Sequence, residues 1–195
     1  MKANVGMQYP VASVISAYTP GTGVTYGTGF VVSEARGASI SWEREDGEFR
    51  GDDARLDTMN GVLGYTIDFE AAGISDNVRN KLLGEAVANT SEYTITDASA
   101  PDVGFGYIRV MRDNSSGTVV ENYEAWWYYK LKFGITSEET RTKERTIEWR
   151  VPTLSGVGDG VQLSSGKTLS FAVHQTFTTF TAAKTWLNTM AGIST

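Results

Sequence analysis

The sequence predicts a mostly β domain, an antiparallel β-sandwich or partial barrel flanked by one short α-helix and carrying a long charged loop. Apolar residues recur mostly in alternation, the two-residue period of strands with one buried face. Glycine is plentiful at 21 residues and proline scarce at 4, which suits short turns between strands. Only one stretch carries a complete set of helix start and stop signals. A chain of 195 residues with 41% apolar and 11% aromatic content can fill one core, so a single domain over 1–195 is expected.

The elements follow in order. Residues 1–27 read as a flexible N-terminal arm, set off by the turn-rich Thr19-Pro20-Gly21-Thr22-Gly23 from a first body strand near Gly29. Ala38, Ile40 and Trp42 share one strand face and Ser39, Ser41 and Glu43 the other. The pattern then stops at a charged stretch, Glu43, Arg44, Glu45, Asp46, Glu48, Arg50, Asp52 and Asp53, with glycines at 47 and 51; it is too polar to bury and reads as a loop. Alternation resumes at Leu63, Tyr65, Ile67 and Phe69. Ser75 is placed to cap a helix in which Ile74, Val78 and Leu82 stack on one side, Asp76 faces the positive end and Gly84 stops the turn. Strands are expected around Tyr93–Ile95 and from Phe105 to Met111, the latter turning through Arg112–Gly117 into the run Thr118–Phe133 as a long hairpin. Two more are expected at Arg145–Val151 and Thr168–Phe177, with glycine-rich loops between them. Thr181–Met190 spaces Ala183, Trp186, Leu187 and Met190 for a short terminal helix, so 181–195 reads as a helix or tail.

Composition narrows the chemistry. A net charge of −6 disfavours sequence-independent binding to phosphate backbones, which needs clustered Lys and Arg. The chain has no cysteine, so disulfides, thiolate metal sites and cysteine nucleophiles are excluded. Its start lacks a signal-peptide core and no run is long and apolar enough to span a bilayer, so cytoplasmic synthesis and no membrane partner are expected. His174 is the single histidine, so a Ser-His-Asp triad or a zinc site with several histidines would have to be built without a choice of partner, and its place on the strand face of Ser170, Ala172 and Thr176 reads as a polar or interfacial strand residue. The carboxylates of 43–53 follow no calcium-loop spacing, and the interleaved Arg44, Arg50 and Arg55 point to ion pairing. Gly21, Gly23, Gly27 and Gly29 precede no helix start and no Gly-Lys-Ser/Thr. No catalytic residue, metal site or cofactor is expected, and the chain reads as a non-enzyme.

The run Trp126-Trp127-Tyr128-Tyr129 is the remaining candidate. Alternation assigns Tyr123, Ala125, Trp127, Tyr129, Leu131 and Phe133 to a core face and Trp126 and Tyr128, with Glu124, Lys130 and Lys132, to an exposed amphipathic face. That face suits cover by another subunit, a ligand platform or plain sheet surface. The expected assembly residues are therefore those of the charged stretch together with Trp126 and Tyr128.

The order of elements carries a resemblance. Gly37-Ala38-Ser39-Ile40-Ser41 leads to the loop with Asp52-Asp53, and Asn60-Gly61-Val62-Leu63-Gly64-Tyr65-Thr66-Ile67-Asp68 feeds the helix Ser75–Leu83. Tyr128-Tyr129-Lys130-Leu131-Lys132-Phe133 then precedes Ile135-Thr136-Ser137-Glu138-Glu139-Thr140 and the strand Thr146–Val151. In this order, over most of 28–155, the chain resembles the major tail proteins, the tail tube proteins of long flexible-tailed bacteriophages (siphophages). The resemblance implies a virion protein of the viral tail, assembled in the host cytoplasm, whose tail-tube fold self-assembles into hexameric rings stacked as a hollow conduit for DNA ejection. It also implies tape-measure and tail-completion proteins as partners, with DNA passing through without specific binding. In such a ring the charged loop would reach a neighbour, and exposed strand edges would pair between chains.

Other readings stay open. A carbohydrate-binding β-sandwich module would stack sugars on Trp126, Tyr128 and Trp149, a tube subunit of a contractile injection or secretion system would share the architecture, and a carboxylate-dependent glycoside hydrolase would need two opposed acids that no motif supplies.

Overall fold

The computed structural model describes residues 2–51, 54–89, 92–94, 99–114, 119–137, 153–166 and 168–194. Eleven strands and two helices follow in the order β1 (Lys2–Thr19), β2 (Gly23–Tyr26), β3 (Phe30–Val31), β4 (Ala35–Gly51), β5 (Ala54–Ala71), α1 (Asp76–Leu83), β6 (Ala86–Asn89), β7 (Glu92–Thr94), β8 (Val103–Asp113), β9 (Val120–Ser137), β10 (Thr153–Asp159), β11 (Ala172–Phe177) and α2 (Phe180–Ala191). Nine strands form one antiparallel sheet in the order β2-β1-β8-β9-β10-β5-β4, with β11 on β9 and β3 on β1. β6 and β7 form a separate hairpin. The sheet curls but does not close into a barrel.

The expected arm is corrected first. Residues 1–27 supply β1 and β2, and β1 pairs with β8 from Lys2 to Val14. Val11 and Ala12 are wholly buried, so this segment is part of the body. Its alternation is broken by two bulges, between Asn4 and Gly6 and between Gln8 and Val11, and a broken period does not read as a strand. At the second bulge Tyr9 takes φ 54°, a left-handed conformation costing about 1–2 kcal/mol for an L-residue. Its hydroxyl donates to Asn188 Oδ1 at 2.9 Å, and its ring meets Phe180 edge-on, so α2 holds it in place.

β10 is the second correction. The expected glycine-rich loop after 151 contains a strand between β5 and β9. Leu154, Gly156 and Gly158 point inward, where the glycines make room for neighbours: a Cβ on Gly158 would run into the Tyr65 ring, and one on Gly156 into Leu131 and Phe133. Close approach replaces the expected apolar side chain. The expected strand Arg145–Val151 lies outside the described residues.

The sheet wraps one core, in which Tyr65, Ile67 and Phe69 of β5 meet Phe105, Tyr107, Tyr128, Leu131 and Phe133. α1 closes it with Leu82. Ser75 Oγ accepts from Val78 N, and Gly84 ends the helix at φ 70°, as the sequence predicts. A second core lies on the other face, where Ala183, Leu187 and Ala191 of α2 cover Val11, Ile108, Ala125 and Trp127. α2 is capped by Thr179 and stopped by Gly192, so the expected terminal helix is present and extends to Ala191.

Candidate assembly surface

β9 organises the surface because it is where the sheet forks. From Tyr123 to Tyr128 its outer neighbour is β11, and from Leu131 onward it is β10. On the β8 side, Val103 faces Leu131 while Phe105 faces Tyr128, so β9 carries an extra residue between them. Such a bulge reverses which side later residues face. Ala125 and Trp127 therefore point to the α2 core, whereas Leu131 and Phe133 point to the main core.

Two tyrosines satisfy the bulge. Tyr26 Oη donates to the Tyr129 carbonyl at 2.8 Å and Tyr65 Oη to the Lys130 carbonyl at 2.8 Å. Each occupies an acceptor that would otherwise be buried without a partner. Burial, by desolvating the phenolate, raises the pKa of Tyr26, Tyr65 and Tyr128 well above the ordinary tyrosine value.

The bulge also overturns the expected amphipathic face. Tyr128 is buried, stacked on Tyr107 at 6.1 Å and near Trp42 and Tyr65. Trp126 is half-buried, and its ring is occupied: His174 stacks on it at 4.3 Å, Tyr128 lies at 6.0 Å and the Arg109 guanidinium at 5.2 Å. The indole Nε1 donates to Glu124 Oε2 at 2.7 Å, and Glu124 also meets Arg109 at 3.6 Å and His174 at 3.5 Å. This self-satisfied cluster ties β11 to β9 and β8. It leaves no Trp126–Tyr128 platform for a sugar ring, and Trp149 lies outside the described residues. The expected core assignment of Tyr123–Phe133 holds for Ala125, Trp127, Leu131 and Phe133, but these residues serve two cores on opposite faces.

The charged stretch is corrected from loop to strand. β4 and β5 pair from Ala35↔Ala71 out to Gly51↔Ala54. β10 accompanies β5 only from Gly64 to Glu70. Beyond Gly64, residues 43–51 and 54–62 form a two-stranded ribbon, roughly 25–30 Å long at strand rise. Glu43, Arg44 and Glu45 sit exposed at its base. The backbones of Asp46, Glu48 and Arg50 lie opposite Asn60, Thr58 and Arg55; Asp52 and Asp53 lie outside the described residues. The sequence missed the ribbon because charged residues carry no apolar period.

Two further features went unread. The sheet face of β4, β5, β10 and the second half of β9, opposite the main core, has no helix over it among the described residues. It presents Ser39, Ser41, Asp68, Glu70, Val157, Asp159 and Lys132 to solvent, with Ser155 Oγ donating to Asp68 Oδ1 at 2.7 Å. Acidic groups outnumber basic ones there. Beside the ribbon base, a shallow cleft of about 450 Å³ is lined by Trp42, Arg44, Val62, Trp126, Leu169 and Phe171; Leu169 is 50% exposed. Exposed apolar positions of this kind depend on which strands end beside one another, which periodicity does not report.

The sheet keeps open edges. Among the described residues, β4 is bonded along one side only, to β5, and the first half of β1 only to β8. A cleft of about 200 Å³ separates them, lined by Asn4, Met7, Arg36 and Arg109 among others; it is the gap where a barrel would have closed. No family model matches the chain, and no curated protein matches it.

Proposed function

We propose that the chain is a structural, non-catalytic subunit that assembles with copies of itself into stacked hexameric rings, forming the tail tube of a siphophage-type virion through which DNA is ejected. The observation that carries this reading is the open edge of β4. Among the described residues this 17-residue strand is bonded on one side, and such an edge is a template for pairing with another chain. Joining the ribbon part of β4, which runs beyond β1, to a strand edge of the next copy would continue the sheet around a ring. The uncovered acidic sheet face would then line the channel, where it repels phosphates and keeps DNA from adhering. Tape-measure and tail-completion proteins belong to this reading as partners.

The test is negative-stain imaging and sedimentation of the purified chain over rising concentration. Rings or tubes with a central channel are expected. A chain that stays monomeric up to millimolar concentration, with no rings on the grid, would sink the proposal.

A further inference from the structure

We infer that the cleft of about 200 Å³ between β1 and β4 is a binding site for a small oxyanion, a phosphate-type ion or a carboxylate. Such a site is independent of self-assembly, because it lies at the Arg36 end of β4, away from the ribbon.

Among the described residues the polar side chains that line the cleft are Asn4, Arg36, Tyr107 and Arg109; each can donate, and no carboxylate joins them. Arg36 is exposed and has no ion-pair or hydrogen-bond partner among the described residues, and a guanidinium offers N–H donors with no acceptor. Arg109 is loosely engaged. Its Nη1 lies 3.6 Å from Glu124 Oε2, an oxygen the Trp126 indole already takes at 2.7 Å, and its Nη2 lies 3.5 Å from Tyr107 Oη. Both lengths exceed the roughly 2.7–2.9 Å of a charge-assisted hydrogen bond, so donors are left over. Asn4 Oδ1 accepts from the Gly6 amide at 3.2 Å, which occupies its acceptor within β1 and leaves Nδ2 to donate. A set of donors without an acid among them is completed by a ligand that only accepts.

The backbone makes the hollow. β1 slips register between Asn4 and Gly6, and β4 between Ala35 and Gly37, so Val5 and Arg36 drop out of their ladders where the two strands face each other. Among the described residues neither strand is bonded to the other across the gap, and the free N–H groups of a sheet edge add to an anion-binding concavity. A Cβ on Gly6 or Gly37 would meet nothing within 4 Å, so the space is open. In a chain of net charge −6, two arginines on one cleft reverse the sign locally, and the guanidinium fork matches carboxylate and phosphate geometry.

The full chain is titrated with inorganic phosphate at constant ionic strength, with chloride as the reference salt. Calorimetry follows binding, and so does tryptophan fluorescence, because the Trp126 ring lies 5.2 Å from the Arg109 guanidinium. Saturable binding with a Kd on the order of 1 mM or tighter is expected. Arg36→Gln should weaken it roughly tenfold or more, and Arg36→Lys should recover part of the loss. Circular dichroism checks that each variant folds; should Arg36→Gln not fold, Asn4→Asp decides in its place, since a carboxylate at that position should weaken binding by repulsion. No saturable response beyond that of chloride overturns the inference, as does an affinity unchanged in the folded variant. Sedimentation separates the two sources of the oxyanion. If saturating phosphate and Arg36→Gln both disperse an assembled chain, the site holds a carboxylate of another copy; if assembly ignores both, or the chain is a monomer, it holds a free ion. Either result, with saturable phosphate binding, supports the site, so a failure of self-assembly and a failure of this inference are told apart.

Discussion

Tyr65 shows how one hydroxyl can hold a topological feature. Its bond to the Lys130 carbonyl lies at the bulge where β9 changes partners. Tyr65→Phe keeps the ring and strands that carbonyl, so a loss of about 1–3 kcal/mol is expected from urea unfolding. The buried phenols also set an alkaline limit. Tyr26, Tyr65 and Tyr128 have folded pKa values raised by burial, so above about pH 10 the unfolded chain releases protons that the folded chain keeps. Stability is therefore full below pH 10 and falls as pH rises past it, by up to about 1.4 kcal/mol per pH unit for each tyrosine. Urea midpoints at pH 8, 10 and 11 should show this, and Tyr65→Phe should flatten the slope. Gly158→Ala addresses a different constraint: its methyl would meet the Tyr65 ring, and overpacking of about 1–3 kcal/mol is expected in the same assay.

At the scale of elements, what the sequence revealed was what local chemistry decides. α1 was readable because Ser75, Asp76 and Gly84 act within one or two turns of themselves, and the strand Tyr65–Phe69 because its period is unbroken. β1 was hidden by two bulges, β10 by inward glycines whose space belongs to side chains far away in sequence, and the ribbon by its charge. Alternation alone places Trp126 and Tyr128 on one outward face because it cannot show that strands pack over that face too. α2 lies between these cases: its spacing was visible, but not the partner it covers. Leu187 is wholly buried and fills the space above Gly106. Leu187→Ala should cost about 2–5 kcal/mol and, by opening the cover over Trp127, change tryptophan fluorescence before global unfolding.

For the whole molecule, the ribbon is the part whose removal should separate folding from assembly. Among the described residues its strands pair only with each other beyond Gly64, so the two cores do not depend on it. A chain with residues 45–60 replaced by a two-residue turn should melt within a few degrees of the parent by circular dichroism and sediment as a monomer at concentrations where the proposed assembly of the parent is expected. A shortened chain that still builds normal tubes would remove the ribbon from the assembly surface. The candidate surface was only partly visible in the sequence for the same reason: charge marks the ribbon, but the acidic sheet face and the cleft exist only once strands distant in sequence lie side by side.

The fork at β9 has a consequence in time. Its inner side takes β8, which is bonded to β1 from the first residues of the chain, while its outer side waits for β10 and β11, which come last. As the chain emerges from a ribosome, the half of β9 from Tyr123 to Tyr128 therefore lacks the outer neighbour it has in the described fold until Phe177 has been made, and pairings this distant in sequence form slowly. A partly made subunit has neither the finished curl nor the finished cleft. In the assembly proposed above, joining to a neighbour would therefore wait until β11 has been made.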